Sequence, residues 1–501
     1  MNEQRFLAGM VLILVLGAAA CGGSGSTTAG MAGSGPKSVT SFPTTTGDLV
    51  NSMDGDGFLW GTEGNVNTAD AAALPFAAAA ARAAINTALR TKYVKLRISR
   101  AFFSPDGIGG YSPAYCLPRA GQCSVTFDMD EIAKLYQANG WSMVPMLRID
   151  EAENVTTALI DDYVDFVDWF VGRYKAAASI EMIELVNAPA PGGQSWKGTN
   201  AQVVELMNKT YDRIKANYPD VAVGSPGFEY WVDSIAGVDG VFVDLIEYVL
   251  DKNNGARFDF WAFHGYPLRE RIGQVPVGPY PPTRTPAANK YANVAGILQV
   301  RAAMDANGWQ DRKIIDTEHD NITEPGEAMT AATDALDAAY VVQELVLKRT
   351  LQSNGVPVVA GALPLKMAPR GTMGEAGLSS LNADGTVTHH VQAMALLWSK
   401  LRDCTYAEHV SGAFDDENHA WVERFTCGAA EMYIFFKPFH YVSGTKIALD
   451  NEVLPYTLTL PSVPASAILT TLDGATSNVA PAQDLVLDTE NSPKFLEVAY
   501  P

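Results

Sequence analysis

Between Phe58 and about Leu401 short apolar runs alternate with longer amphipathic stretches. Eight runs have the length and continuity of strands buried on both faces of a parallel sheet: Gly57–Gly61, Tyr93–Ile98, Ser142–Ile149, Ile180–Val186, Val221–Gly224, Phe258–Phe263, Lys313–Asp316 and Pro357–Leu363. The stretches between them read as helices. Thr157–Lys175 sets Leu159, Tyr163, Phe166 and Phe170 on one stripe at helical spacing, and Ala201–Asn217 and Ala331–Gln352 behave likewise. Asn139-Gly140 before the third strand and Asn307-Gly308 before the seventh are helix stops, and Asn217-Tyr218-Pro219 ends the helix before the fifth. Strand and helix alternating eight times predict a (β/α)8 TIM barrel. A doubly wound sheet is the alternative, weakened because no Gly-x-Gly-x-x-Gly follows the first strand.

Beyond Trp398 the texture changes. Residues 403–501 carry short alternating strands, such as Ala420–Phe425, Glu431–Phe436 and Tyr456–Leu460, separated by Ser, Pro, Asn-Ser and Asp-Gly turns. That pattern predicts a C-terminal β-sandwich with no helix. The expected organisation is a signal segment over 1–21, a linker over 22–47, the barrel over 48–402 and the sandwich over 403–501.

The N-terminus reads as an address. Arg5 precedes an apolar stretch, Phe6 to Leu16, which gives way to Gly17-Ala18-Ala19-Ala20-Cys21. Small residues before a cysteine resemble a bacterial lipobox, with Cys21 as the lipidated mature N-terminus. A transmembrane anchor is the rival, but the run is shorter than the roughly 20 residues a span needs. The Gly-, Ser- and Thr-rich residues that follow cannot bury a core and read as a flexible tether. The expected location is therefore the periplasmic or outer face of a membrane.

Four further cysteines form two local pairs, Cys116 with Cys123 and Cys404 with Cys427, read as disulfides of an exported protein. Metal binding is the weaker reading, since no Cys-x-x-Cys or nearby His pair accompanies them. The formal charge of −20 repels phosphate backbones and argues against a nucleic-acid partner.

Barrel enzymes carry their chemistry at the C-terminal ends of the strands. There stand Arg97, Asp150, Asn187, His264 with Tyr266, Glu318 and Lys366, from the second, third, fourth, sixth, seventh and eighth strands. Trp60, Trp196, Tyr230, Trp231 and Tyr280 lie in or near the loops and could stack on a sugar or pack beneath their own loops.

Several of these residues fall in motifs. Ile183-Glu184-Leu185-Val186-Asn187-Ala188-Pro189 resembles the Glu-x-x-Asn-Glu-Pro signature of clan A glycoside hydrolases. Ile315-Asp316-Thr317-Glu318-His319 resembles their seventh-strand nucleophile, and His264-Gly265-Tyr266 their sixth-strand His-x-Tyr element. Arg97 matches the second-strand arginine. With the appended sandwich, the chain resembles family 39, the β-xylosidase and α-iduronidase type. The resemblance implies Glu318 as nucleophile, Arg97 and Tyr266 in contact with it, and Asn187 on a sugar 2-hydroxyl. His264, Asp150 and Trp196 are further candidates for substrate binding. It implies no metal and no organic cofactor.

Two departures stand out. The eighth strand lacks the usual tryptophan, and the position of the general acid/base glutamate is Ala188. A retaining glycosidase needs two carboxyl groups roughly 5–5.5 Å apart, and a methyl group carries no proton. Three readings follow. The proton could come from Asp150, Glu63, His264 or the sugar itself; the protein could be a non-catalytic carbohydrate-binding lipoprotein; or Ala188 could be an introduced change that traps substrate. A purely structural surface protein would not explain why the other residues keep their order.

Overall fold

The computed structural model describes residues 58–64, 86, 91–104, 109–119, 122–149, 154–187, 189, 196–229, 239–265, 292–319, 330–364, 386–412, 419–439, 449 and 452–501. Eight parallel strands close a barrel: β1 (Leu59–Gly64), β2 (Tyr93–Ser99), β3 (Ser142–Arg148), β4 (Met182–Asn187), β5 (Ala222–Glu229), β6 (Phe260–His264), β7 (Lys313–Glu318) and β8 (Val359–Ala362). Each pairs with its neighbours in chain order, and β8 closes on β1. The predicted TIM barrel is the observed fold, with strand ends displaced by up to five residues.

Among the described residues seven helices accompany the strands: α1 (Met129–Asn139), α2 (Thr157–Tyr174), α3 (Asn200–Asn217), α4 (Asp239–Leu250), α5 (Ala292–Ala306), α6 (Ala331–Thr350) and α7 (His389–Leu401). Their ends follow local chemistry. Asp128 accepts a hydrogen bond from the Asp130 amide at the start of α1, and Gly140 ends that helix in the left-handed region at φ 66°. Thr199 and Gln202 form a reciprocal capping box on α3. Sequence reading missed an antiparallel hairpin, Ala114–Arg119 with Gln122–Asp128, inserted after β2. It holds Cys116 and Cys123, whose side chains lie outside the described residues.

Alternation along the strands sorts side chains between lumen and shell. Val94, Leu96 and Ile98 of β2 pack in the main core with the helices, as do Ile183 and Leu185 of β4. Tyr93, Val144, Met182, Phe260, Ala262, Ile315 and Leu363 instead form an apolar layer across the lumen. The strands are therefore not apolar throughout. One step further along the same inward face stand Lys95 and Arg97 on β2 and Glu184 on β4.

Among the described residues no helix follows Leu401. A six-stranded antiparallel sheet is ordered β9-β10-β11-β16-β13-β14: β9 (Thr405–Ser411), β10 (Trp421–Cys427), β11 (Ala430–Phe436), β13 (Ser466–Thr470), β14 (Thr476–Asn478) and β16 (Lys494–Ala499). A two-stranded sheet of β12 (Leu454–Thr459) and β15 (Asp484–Thr489) packs on it through Leu458, Leu485 and Leu487, which meet Val422, Tyr433 and Phe435. The expected sandwich is thus present. Its larger sheet has a second buried face, where Met432, Ile434 and Phe436 join the barrel's core. Gln343 of α6 fastens the two, donating to the Lys437 and Asn491 carbonyls and accepting from the Phe439 amide. Cys404, just after α7, is disulfide-bonded to Cys427 at the end of β10.

Glu423 lies buried in this junction. It accepts from Thr350 of α6 at 3.2 Å, from Tyr406 at 3.0 Å and from the Trp421 indole at 2.6 Å. His409 contacts it through Nδ1 at 3.1 Å and the Gly412 carbonyl through Nε2 at 2.9 Å. Both partners are acceptors, so only the imidazolium satisfies both contacts. The Glu423 hydrogen bond holds the His409 pKa above the ordinary histidine value. A raised folded-state pKa adds stability that is fully present below the unfolded value and lost as pH rises through the folded one. We expect the melting temperature to fall, relative to His409→Gln, as pH is raised from about 6 to 9. Parallel melting curves for the two proteins across that range would refute the linkage.

Candidate active site

The inward faces of β2, β4, β6 and β7 converge at the C-terminal mouth of the barrel. Glu318 ends β7 and is 2% exposed. Its Oε1 is ion-paired with Arg97 Nη2, and its Oε2 stands 3.5 Å from Lys95 Nζ and 3.8 Å from His264 Nε2. The same His264 nitrogen lies 2.9 Å from Glu184 Oε1, and Lys95 reaches both oxygens of Glu184 at 3.0 and 3.2 Å. Two carboxylates thus share one ammonium and one imidazole.

The strands make this meeting possible through two irregularities. Phe263 pairs with Asp316 and His264 with Glu318, so β7 carries one extra residue, Thr317. Residues two apart normally share a face, but the bulge changes the phase. Asp316 turns out to Lys348 of α6, and Glu318 turns in to Lys95. On β5, Gly227 leaves space that a Cβ would fill, at 2.1 Å from His264 Nε2 and 2.4 Å from Glu184 Oε1.

Electrostatics matches the geometry. Burial alone would raise the Glu184 pKa, but the Lys95 charge and the His264 hydrogen bond overcome it and hold it below the ordinary glutamate value. A second buried cluster lies between β7 and α6. Asp316 accepts from the Gly265 amide at 3.1 Å, contacts His319 Nδ1 at 2.8 Å and is ion-paired with Lys348. Burial opposes its ionisation; Lys348 and His319 outweigh burial and keep it far below the usual aspartate range. Glu344 stands 3.6 Å from Lys348, and there burial prevails and raises its pKa. This cluster ties together the backbones that immediately follow His264 and Glu318.

Of the residues singled out in the sequence, Arg97, His264 and Glu318 meet in this site. Asn187 ends β4, and its buried Oδ1 has no hydrogen-bond partner among the described residues. Val186 just before it has φ +23°, a region that β-branched residues rarely occupy and where strain accompanies functional sites. Ala188, Asp150, Tyr266, Lys366, Tyr230, Trp231, Tyr280 and Cys21 lie outside the described residues, as does the Glu63 side chain.

Trp196 is a correction. It is 2% exposed, its indole donates to the Thr199 carbonyl at 3.4 Å, and it belongs to the main core, so it offers no face to a sugar. Trp60 is likewise buried, 5.2 Å from the Trp398 ring. Sequence reading overlooked Lys95 and the inward role of Glu184. Their signal was a charge at an inward mid-strand position flanked by apolar residues. Among the described residues no three His, Cys, Asp or Glu side chains form a set able to hold a metal ion.

No protein-family model and no curated protein matches this sequence. Solved structures do match in fold. A family 39 glycoside hydrolase from Bacteroides cellulosilyticus WH2 aligns over 87% of this chain and 80% of its own, with TM-score 0.59 and 14% identity. A monomeric β-xylosidase from Caulobacter crescentus CB15 aligns over 90% and 97%, with TM-score 0.56 and 15% identity. A family 30 subfamily 8 xylanase from Clostridium acetobutylicum aligns over 88% and 95%, with TM-score 0.52 and 10% identity. At such identities the likeness is one of fold: a parallel eight-stranded barrel with an appended β-sandwich, as in family 39 and family 30 glycoside hydrolases.

Proposed function

We propose that this chain is a retaining-type glycoside hydrolase with an altered acid/base site. It acts on oligo- or polysaccharide at the cell surface, held to the membrane through a lipid on Cys21. The observation that carries this reading is the Glu318 carboxylate at the barrel mouth, flanked by Arg97, Lys95 and His264. A carboxylate held between cations stays ionised, as attack on an anomeric carbon requires. The buried Asn187 Oδ1 is an acceptor suited to a sugar hydroxyl. Because two of the structurally similar enzymes are named β-xylosidase and xylanase, xylose-based glycosides are the first substrates to try.

With Ala188 at the acid position, departure of the leaving group lacks its usual proton, a loss of about 10²–10⁴ in rate. Aryl glycosides with acidic phenols need little protonation and should report what activity remains. We expect slow hydrolysis of such substrates with retained configuration, and none after Glu318→Ala. Equal rates for the two proteins would remove Glu318 from the reaction. The missing carboxyl also favours a second reading, a non-catalytic carbohydrate-binding lipoprotein. Binding on a glycan array without turnover of any aryl glycoside would select it.

A further inference from the structure

Lys95 is 0% exposed, in a lumen whose neighbouring layer is apolar. A buried ammonium costs several kcal/mol unless each of its N–H groups finds an acceptor. An unbranched apolar residue would fill the same space without that cost. Among the described residues Lys95 reaches the Glu184 carboxylate at 3.0 Å, the Thr317 carbonyl at 3.0 Å and Glu318 Oε2 at 3.5 Å. The Thr317 carbonyl belongs to the extra residue of β7, the one that turns Glu318 inward. One side chain therefore grips both the bulge and the carboxylate that the bulge presents.

We propose that Lys95 is the positioning residue for Glu318, fixing its carboxylate and keeping it ionised, while denying Glu184 a proton to give. The proposal rests on reading Glu318 as the carboxylate that serves the sugar. It also bears on the missing acid. Glu184 is the second carboxyl group of the cluster, and a chain without a glutamate at position 188 could be thought to use it instead. Its pairing with Lys95 argues against that, since a carboxylate neutralised by a fixed ammonium has no proton to donate near neutral pH.

The charged and titratable groups facing Glu318 from the described elements are Lys95 and Arg97 of β2, Glu184 of β4 and His264 of β6. Lys95→Met removes one charge of that set at nearly constant volume. In protein carrying 13C-labelled glutamate carboxyls, with Glu318 assigned through Glu318→Gln, its titration should move up by about one pH unit or more in Lys95→Met. The acid limb of kcat/KM on an activated aryl glycoside should move with it, a change that loosened packing alone would not produce. If no glycoside is turned over but the carboxyl titration still moves, the hydrolase reading fails and the positioning role stands. Should Lys95→Met not fold, Lys95→Gln removes the same charge while keeping a neutral hydrogen-bond donor, and must still raise the Glu318 titration. A Glu318 carboxyl that titrates unchanged in a folded variant overturns the proposal.

Discussion

Ala188→Glu is expected to raise hydrolysis of natural glycosides by about 10²–10⁴-fold, the usual contribution of a positioned general acid. The direction follows from the charge distribution of the site. Glu318 is ion-paired with Arg97 and Lys95, cations that favour its anionic form, so on the proposed reading it attacks and does not protonate. Glu184, the other carboxyl of the cluster, is held below its ordinary pKa by Lys95. On the proposed reading the proton enters at position 188, where the resemblance around Asn187 implies the acid/base carboxyl. The gain should depend on the leaving group: large for an alkyl or sugar alcohol, small for an activated phenol whose departure needs little help. Azide should accelerate the unaltered protein, entering beside Ala188 and giving a glycosyl azide with retained configuration. The same azide should do little for Ala188→Glu. Steady-state rates over a series of phenols give the measurement. If Ala188→Glu leaves every glycoside untouched while glycan binding persists, the hydrolase reading fails and the binding protein replaces it.

Asp316→Asn should cost about 3–5 kcal/mol of stability, the range for breaking a buried ion pair by removing one partner. The loss strands Lys348, fully buried in α6 with Glu344 as its remaining carboxyl neighbour. Urea or thermal unfolding reads the loss, and Asp316→Asn/Lys348→Met should recover most of it by removing both charges. Because the folded-state pKa of Asp316 is depressed, its contribution is present above the unfolded aspartate value and lost only as pH falls through the folded one. The difference between Asp316→Asn and the unaltered protein should therefore be flat from about pH 5 to 8 and shrink in acid. A cost below about 1 kcal/mol at neutral pH would mean that the Asp316–Lys348 pair breaks even against solvation.

The barrel was legible because short, largely apolar runs alternate eight times with longer amphipathic segments. Strand ends were less so. The Val221–Gly224 run stops five residues short of Glu229, the end of β5, since Ser225, Pro226 and Gly227 look like a turn. They continue the strand because Ser225 Oγ accepts the Ala262 amide of the neighbouring strand and Gly227 makes room for His264. The hairpin after β2 escaped because it interrupts a βα unit, where periodicity predicts only loop. Of the site, Arg97, His264 and Glu318 could be placed from motif and strand end, but their partners could not. Lys95 lies within the Tyr93–Ile98 run, and a charge in mid-strand there reads as an exception to burial rather than as a ligand of the carboxylates. Trp196 failed in the opposite way: an aromatic beside a loop advertises a stacking surface, and only packing shows that its face is already covered.

The extra residue at Thr317 has a consequence for how chains of this kind can diverge. Asp316 and Glu318 are two positions apart yet serve opposite sides of the wall, one anchoring a helix and the other facing the lumen. Parity forbids this in a regular strand. A relative that restores regular pairing with β6 while keeping the acids two positions apart must surrender either the anchor or the lumen carboxylate. One that also deletes the residue between them keeps both, because neighbours in a regular strand face opposite sides. The bulge and the spacing of the two acids have to change together. Counting residues between acids along the seventh strand therefore says more about a relative than asking whether both acids are present.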